Sequence, residues 1–195
     1  QRGDTELSLM GHSLGGRIAM HCALTRSVNV HALIVVDMAP ASYGLLQQTA
    51  LFDTLLRMPL HRLVTSKEAL NWLVEQRVQQ REAEFILTNV QFSASGAAHW
   101  KVPIETLRNS LPNFRTCPDY TEIEPFDGPT LFIGGANSDY ITKDHEPEIK
   151  RLFPRAQITH LANAGHWVHA DQPHAFLACV RDFLTSNEVV QQRRD

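Results

Sequence analysis

The stretch Met10-Gly11-His12-Ser13-Leu14-Gly15-Gly16 constrains this chain more than any other. It follows the short apolar run Leu7-Ser8-Leu9-Met10 and opens a segment, Arg17 to Leu24, that reads as helix, with Leu14, Ile18 and Cys22 at helical spacing. A Gly-x-Ser-x-Gly set between a strand and a helix is the pattern of a nucleophile elbow. The chain must turn from strand to helix almost at one residue, so that residue is expected in a strained backbone conformation. Gly11 and Gly15 are expected to keep side chains out of the turn, and Gly16 to let the helix pack closely. Ser13 Oγ then stands at the sheet edge over the positive end of the helix, and the backbone N–H of Leu14 faces the place of an oxyanion.

Further on, His31-Ala32-Leu33-Ile34-Val35-Val36-Asp37 reads as a buried parallel strand, near-continuous in apolar residues and rich in β-branched ones. It puts Asp37 at the strand's C-terminal end, the edge where α/β sheets hold ligands. From Ala41 to about Tyr120 no strong strand is expected. Thr65-Ser66-Lys67-Glu68 reads as a capping box leading a helix with Leu70, Leu73, Val74 and Val78 on one face. A second helix is expected over Glu82 to Val90 and a third from Pro103, with Ile104, Leu107 and Leu111 aligned; Phe92-Ser93-Ala94-Ser95-Gly96 reads as a loop. Leu51, Phe52, Leu56, Met58, Phe85 and Trp100 are expected mostly in the core of this block, a minority of them lining an acyl pocket.

The sheet resumes at Gly128-Pro129-Thr130-Leu131-Phe132-Ile133-Gly134-Gly135. A short helix with Pro147 in its first turn follows, and Pro154 ends it. Gln157 to Leu161 reads as the last strand, and Asn163-Ala164-Gly165-His166-Trp167 as the loop beyond it. Asp171 is expected to cap a final helix whose Phe176, Val180, Phe183 and Leu184 pack on the sheet. The domain plan is therefore a core at 1–40, a helical cap at 41–120, the rest of the core at 121–187 and a frayed tail at 188–195.

Composition narrows the classes. A net charge of −3 gives no case for nucleic acid. Cys22, Cys117 and Cys179 are odd in number and widely spaced, which points to a reducing, intracellular compartment without disulfides. No apolar run reaches membrane-spanning length and no signal peptide is visible. Arg2-Gly3-Asp4 is read as a chance match to an adhesion tripeptide. His166 and His169 are three apart, but no carboxylate or thiol set completes a metal site, so neither metal nor cofactor is expected.

Gly11-His12-Ser13-Leu14-Gly15-Gly16, followed far downstream by Asn163-Ala164-Gly165-His166-Trp167, resembles an α/β-hydrolase. Val36-Asp37-Met38-Ala39-Pro40, Leu131-Phe132-Ile133-Gly134-Gly135, Leu152-Phe153-Pro154-Arg155-Ala156 and His166-Trp167-Val168-His169-Ala170-Asp171 narrow the resemblance. They are similar to the α/β-hydrolase domain-containing protein 11 subfamily and its bacterial esterase relatives. The likeness covers essentially the whole chain and is weakest through the cap. It implies an α/β-hydrolase fold, a mostly parallel sheet flanked by helices with an inserted helical cap, and ester-hydrolase chemistry. In that fold the nucleophile strand has neighbours on both sides. The chain is therefore expected to be a C-terminal portion, with the N-terminal part of the sheet and the His-Gly oxyanion loop missing; the alternative is a half-built sheet with an exposed edge. For eukaryotic members the resemblance further implies a mitochondrial targeting segment, the mitochondrial matrix, and association with a mitochondrial dehydrogenase complex.

A serine hydroxyl at neutral pH needs a base within hydrogen-bond reach. His166 is the expected base, since a loop after the last strand can hang it over Ser13; His12 is expected to pack or hydrogen-bond within the elbow. The orienting acid departs from the commonest pattern, an Asp three residues after the glycine closing the penultimate core strand. From Gly135 that slot holds Ser138, with Asp139 next. A neutral serine can accept a bond from Nδ1–H but cannot balance an imidazolium charge. Asp37 ends a neighbouring strand at the same edge, and the subfamily's Asp in its Val-Asp motif matches it. Asp37 is thus the preferred acid with Ser138 auxiliary, while Asp139 and Glu105 in the cap stay open, as does a turn-forming role for Asp37. The expected activity is a serine ester hydrolase that takes a small-molecule acyl or lipid ester through an acyl-enzyme. The fragment by itself is expected to be poorly active, because Leu14 supplies only one oxyanion donor. Thioesterase, lipase, amidase and haloperoxidase chemistries stay open, because the cap decides substrate. From another class, a non-catalytic hydrolase-fold interaction protein or an inactive truncated isoform is the alternative.

Overall fold

A computed structural model of the chain describes residues 7–44, 46–92 and 98–191. Arg2-Gly3-Asp4, the loop residues 93–96 and the tail from 192 lie outside the described residues. In chain order the first elements are β1 (Leu7–His12), α1 (Leu14–Leu24), β2 (Val30–Val36), α2 (Leu46–Leu56), α3 (Ser66–Glu75) and α4 (Gln80–Leu87). There follow β3 (Val90–Phe92), β4 (Ala98–Trp100), α5 (Ile104–Arg115), β5 (Thr130–Gly135) and α6 (Glu146–Leu152). The last are β6 (Ala156–Leu161), α7 (Val168–Asp171) and α8 (Pro173–Gln191). They form two compact units, one of Gln1–Ala41 with Cys117–Asp195, the other of Ser42–Thr116.

The first unit holds a sheet in the order β1-β2-β5-β6, every pair parallel. Parallel strands need cover on both faces, and the middle strands are apolar from Ala32 to Val36 in β2 and from Leu131 to Ile133 in β5 for that reason. Ala32, Ile34, Val36, Leu131 and Ile133 share one buried cluster with Phe176 and Phe183 of α8. Leu33, Val35 and Phe132 alternate with them and are equally buried, and Phe132 meets the ring of Phe153 edge-on at 5.6 Å. Register fixes which residues end side by side: Val36 pairs with Ile133, so Asp37 leaves β2 beside Gly134 and Gly135. Among the described residues β1 is a sheet edge, with Leu7 and Met10 exposed. Asp171 does not lead α8 directly; it ends the one-turn α7, and its carboxylate accepts the Gly165 N–H at 2.8 Å. Helix α8 runs through Gln191, so the stretch from 188 expected to fray is helical that far.

The second unit is mostly helical around Leu55, Met58, Leu73, Ile86, Leu87 and Ile104. The capping box at α3 is present: Thr65 Oγ1 accepts the Glu68 N–H at 3.2 Å and Glu68 accepts the Thr65 N–H at 3.3 Å. Two expectations need correction. The helix expected to reach Val90 stops at Leu87, and Val90–Phe92 pairs antiparallel with Ala98–Trp100, strands too short for a two-residue period to stand out. Leu56 and Phe85, expected in the core of this block, are exposed, whereas Met58 is buried and Leu51, Phe52 and Trp100 pack against the cluster.

Between β1 and α1 the chain turns at Ser13, whose φ of 55° and ψ of −121° lie far from both strand and helix. The turn brings the backbones on either side of it close together. A Cβ on Gly11 would sit 2.1 Å from the Gly15 carbonyl oxygen, and one on Gly16 would sit 3.0 Å from the Gly11 oxygen and 3.1 Å from Val35 Cγ1. Gly15 is different from what its place in the motif suggests: a Cβ there meets nothing within 4 Å. Gly11→Ala is therefore expected to cost about 2 kcal/mol or more, as overpacking against unyielding backbone does. Gly15→Ala should be neutral or stabilising by up to about 1 kcal/mol, because alanine is the better helix former. Urea unfolding of the two variants beside the parent checks both.

Candidate active site

All four strands of the sheet are parallel, so their C-terminal ends open onto one edge. Ser13 follows β1, Asp37 follows β2, Ser138 and Tyr140 lie in the turn after β5, and His166 lies in the loop after β6. Residues that are far apart in sequence thus emerge from adjacent strands. The strand ends are held together by main-chain bonds across the edge. Ser13 N–H donates to the Val36 carbonyl at 3.0 Å, and Asp37 N–H donates to the Ile133 carbonyl at 2.8 Å.

Asp37 is fully buried, and its backbone has a φ of 48°. Burying a carboxylate is costly unless its oxygens are bonded, and here both are. Oδ1 accepts the Gly135 N–H at 3.0 Å. Oδ2 accepts the Ser138 hydroxyl at 2.5 Å and His166 Nδ1–H at 2.7 Å. With Nδ1–H given to the carboxylate, the other nitrogen of His166 carries the lone pair. That nitrogen, Nε2, lies 3.0 Å from Ser13 Oγ and can accept its hydroxyl proton.

The loop that carries His166 is tied down separately. Gly165 is held by Asp171, and its carbonyl packs so close to Gly135 that a Cβ there would lie 2.2 Å from it. His12 Nε2–H donates to the His166 carbonyl at 2.7 Å, joining the end of β1 to the histidine loop. Burial holds the pKa of His12 below the ordinary histidine value, opposed in part by that bond and reinforced by the neighbouring His166 and His169. The ring of Tyr140 stacks on the His166 imidazole, centroids 4.1 Å apart. On the other flank, buried Arg17 in the first turn of α1 donates to the Ala41 carbonyl at 2.6 Å and contacts Met38 Sδ at 3.8 Å, binding the segment after Asp37 to the elbow helix.

The structure therefore brings Ser13, His166, Asp37 and Ser138 into one hydrogen-bonded line. Asp139 is exposed and makes no hydrogen bond to His166; Glu105 lies in the first turn of α5, in the Ser42–Thr116 unit. Two contacts were not foreseen. His12 bonds out of the elbow, to the histidine loop, and Tyr140 covers the imidazole face. The only sign of Tyr140 in the sequence was an aromatic residue two places after Ser138, in a turn at the edge where ligands gather.

The chain is similar to known proteins in both sequence and fold. A sequence model of the Alpha/beta hydrolase family matches residues 2–178. Proteins described as sn-1-specific diacylglycerol lipase ABHD11 from Xenopus laevis and Mus musculus are 35% and 36% identical to the chain, over 93% and 90% of it. The chain spans 59% and 58% of their length. A solved structure described as a marine microorganism esterase superposes with a TM-score of 0.85 at 30% identity, covering 91% of this chain and 70% of that one. A strained serine between a parallel strand and a helix, joined to a family match over nearly the whole sequence, leads to one conclusion: the chain belongs to the α/β hydrolase family and has its fold, a mostly parallel sheet flanked by helices.

Proposed function

We propose that the chain carries the catalytic residues of a serine ester hydrolase for acyl or lipid-type carboxylic esters, working through an acyl-enzyme. The observation that carries this reading is the unbroken set of bonds from the Asp37 carboxylate through His166 to Ser13 Oγ. The described activities of the relatives, a diacylglycerol lipase and an esterase, support it. The roles follow from the chemistry of the groups. As Ser13 Oγ attacks the ester carbonyl, its proton passes to His166 Nε2. Asp37 holds the imidazole in the tautomer that leaves Nε2 free to accept, and balances the imidazolium charge. Ser138 and the Gly135 N–H hold the carboxylate in place.

The tetrahedral oxyanion is met by the Leu14 N–H at the positive end of α1, and one such donor is worth about 10²- to 10³-fold in rate. His166 then protonates the departing alkoxide, leaving the acyl group on Ser13. Water, deprotonated by the same nitrogen, attacks the acyl carbonyl and releases the acid and the free serine. Residence in the mitochondrial matrix and association with a mitochondrial dehydrogenase complex belong to this proposal on the subfamily resemblance. No helix among the described residues is long and apolar enough to cross a membrane.

A fluorophosphonate probe tests the nucleophile: the full-length protein should label at one serine, and Ser13→Ala should abolish labelling while the protein stays folded. Labelling that survives in Ser13→Ala sinks the proposal. Asp37→Asn should lower kcat for a p-nitrophenyl ester by about 10³- to 10⁴-fold with little change in KM, because the amide favours the wrong tautomer.

His12 gives a pH signature. Its pKa is lowered in the folded state by burial, so below the ordinary histidine range the unfolded chain binds the extra proton. Stability should therefore rise with pH between the lowered value and about 6.5, and fall as pH drops through that window. Denaturant midpoints measured across it should show a shallower slope in His12→Gln.

A further inference from the structure

We infer that Tyr140 is a positioning residue for His166, its ring fixing the plane of the imidazole that faces Ser13. The inference rests on the hydrolase reading above and adds to it a group the triad chemistry does not itself name. Tyr140 is half-buried in the turn after β5. Its ring lies 4.1 Å from that of His166, centroid to centroid, with 22° between the planes. The hydrogen bonds of His166 act elsewhere: Nδ1 on Asp37, Nε2 toward Ser13, the carbonyl on His12. Bonds of this kind tolerate about 30° of misalignment before they weaken much, so they leave the tilt of the ring loosely set. A flat partner on the ring face removes that freedom. The ring of His12 is also near, at 4.7 Å, but it is tilted by 41° and offers no parallel face.

The stack has a second effect when the proton moves. Once Nε2 has taken the proton of Ser13, the imidazole is a cation, and the electron-rich face of a phenol ring attracts a cation. The other groups around the ring are compatible with that charge: the Asp37 carboxylate lies on Nδ1, and burial lowers the pKa of His12, which disfavours a second cation there. His169 stands behind His12, ring to ring at 5.0 Å. An aliphatic residue at 140 supplies neither the flat face nor the attraction.

The test uses the full-length protein with Tyr140→Phe, Tyr140→Leu and Tyr140→Gln; the last two both remove the stack, and either one that folds serves. The readouts are kcat and KM for a p-nitrophenyl acyl ester, fluorophosphonate labelling of Ser13, and the imidazole proton resonances of His166. Loss of the stack should lower kcat by about 10- to 100-fold, the cost of a misplaced catalytic group, and leave KM within about twofold, as expected when ground-state binding is untouched. It should also move the His166 ring resonances downfield, because the shielding of the stacked ring is gone. Tyr140→Phe should keep all three readouts near the parent. Full kcat in a folded Tyr140→Leu or Tyr140→Gln overturns the inference whether or not the resonances move, as does a loss in Tyr140→Phe equal to theirs. A parent protein that labels at Ser13 while the stack-removing variants keep full kcat sinks the inference alone; a parent that does not label at Ser13 sinks the hydrolase reading and the inference together.

Discussion

The bond between the buried carboxylate of Asp37 and His166 Nδ1 is the interaction on which the rest of the site depends. It sets the tautomer of the imidazole, and so decides which nitrogen faces Ser13. It also explains why a carboxylate can be fully buried at all: its oxygens accept from Gly135, Ser138 and His166, so the desolvation cost is met by three donors. Removing any one of them leaves the others to hold a charge in a dry place. The surrounding clamps serve the same end. Asp171 fixes Gly165, His12 fixes the His166 carbonyl, and Arg17 ties the segment after Asp37 to α1.

Much of this was legible in the residues. The elbow motif carries its own geometry, since a serine flanked by glycines between a strand and a helix has few conformations open to it. The buried strands announced themselves through uninterrupted β-branched and apolar runs, and Thr65 with Glu68 marked the start of α3. What the sequence could not decide was the partner of His166, because that depends on register. Ser138 occupies the slot where an acid is commonest, and only the pairing of Val36 with Ile133 puts Asp37 against the same turn. Two carboxylates and a hydroxyl within reach of one edge look alike in one dimension.

The misses have physical reasons as well. The β3–β4 hairpin is three residues a strand, shorter than any period that could reveal it. Gly15 was given a steric duty by its place in the motif, yet the space beside it is open; the close approach belongs to Gly11 and Gly16. Tyr140 and His12 act through ring faces and a main-chain carbonyl, contacts that leave no spacing rule behind.

The four parallel strands have a metrical consequence. A slip of one residue between β2 and β5 displaces one strand end against the other by about 3.3 Å, more than the 2.7 Å that joins Asp37 to His166. With the side chains in their present rotamers, the bond would be lost. The hydrophobic pairing deep in the sheet, Val35 beside Phe132 and Val36 beside Ile133, is thus the ruler against which the reactive atoms are set out, although all four of those side chains are buried in the core.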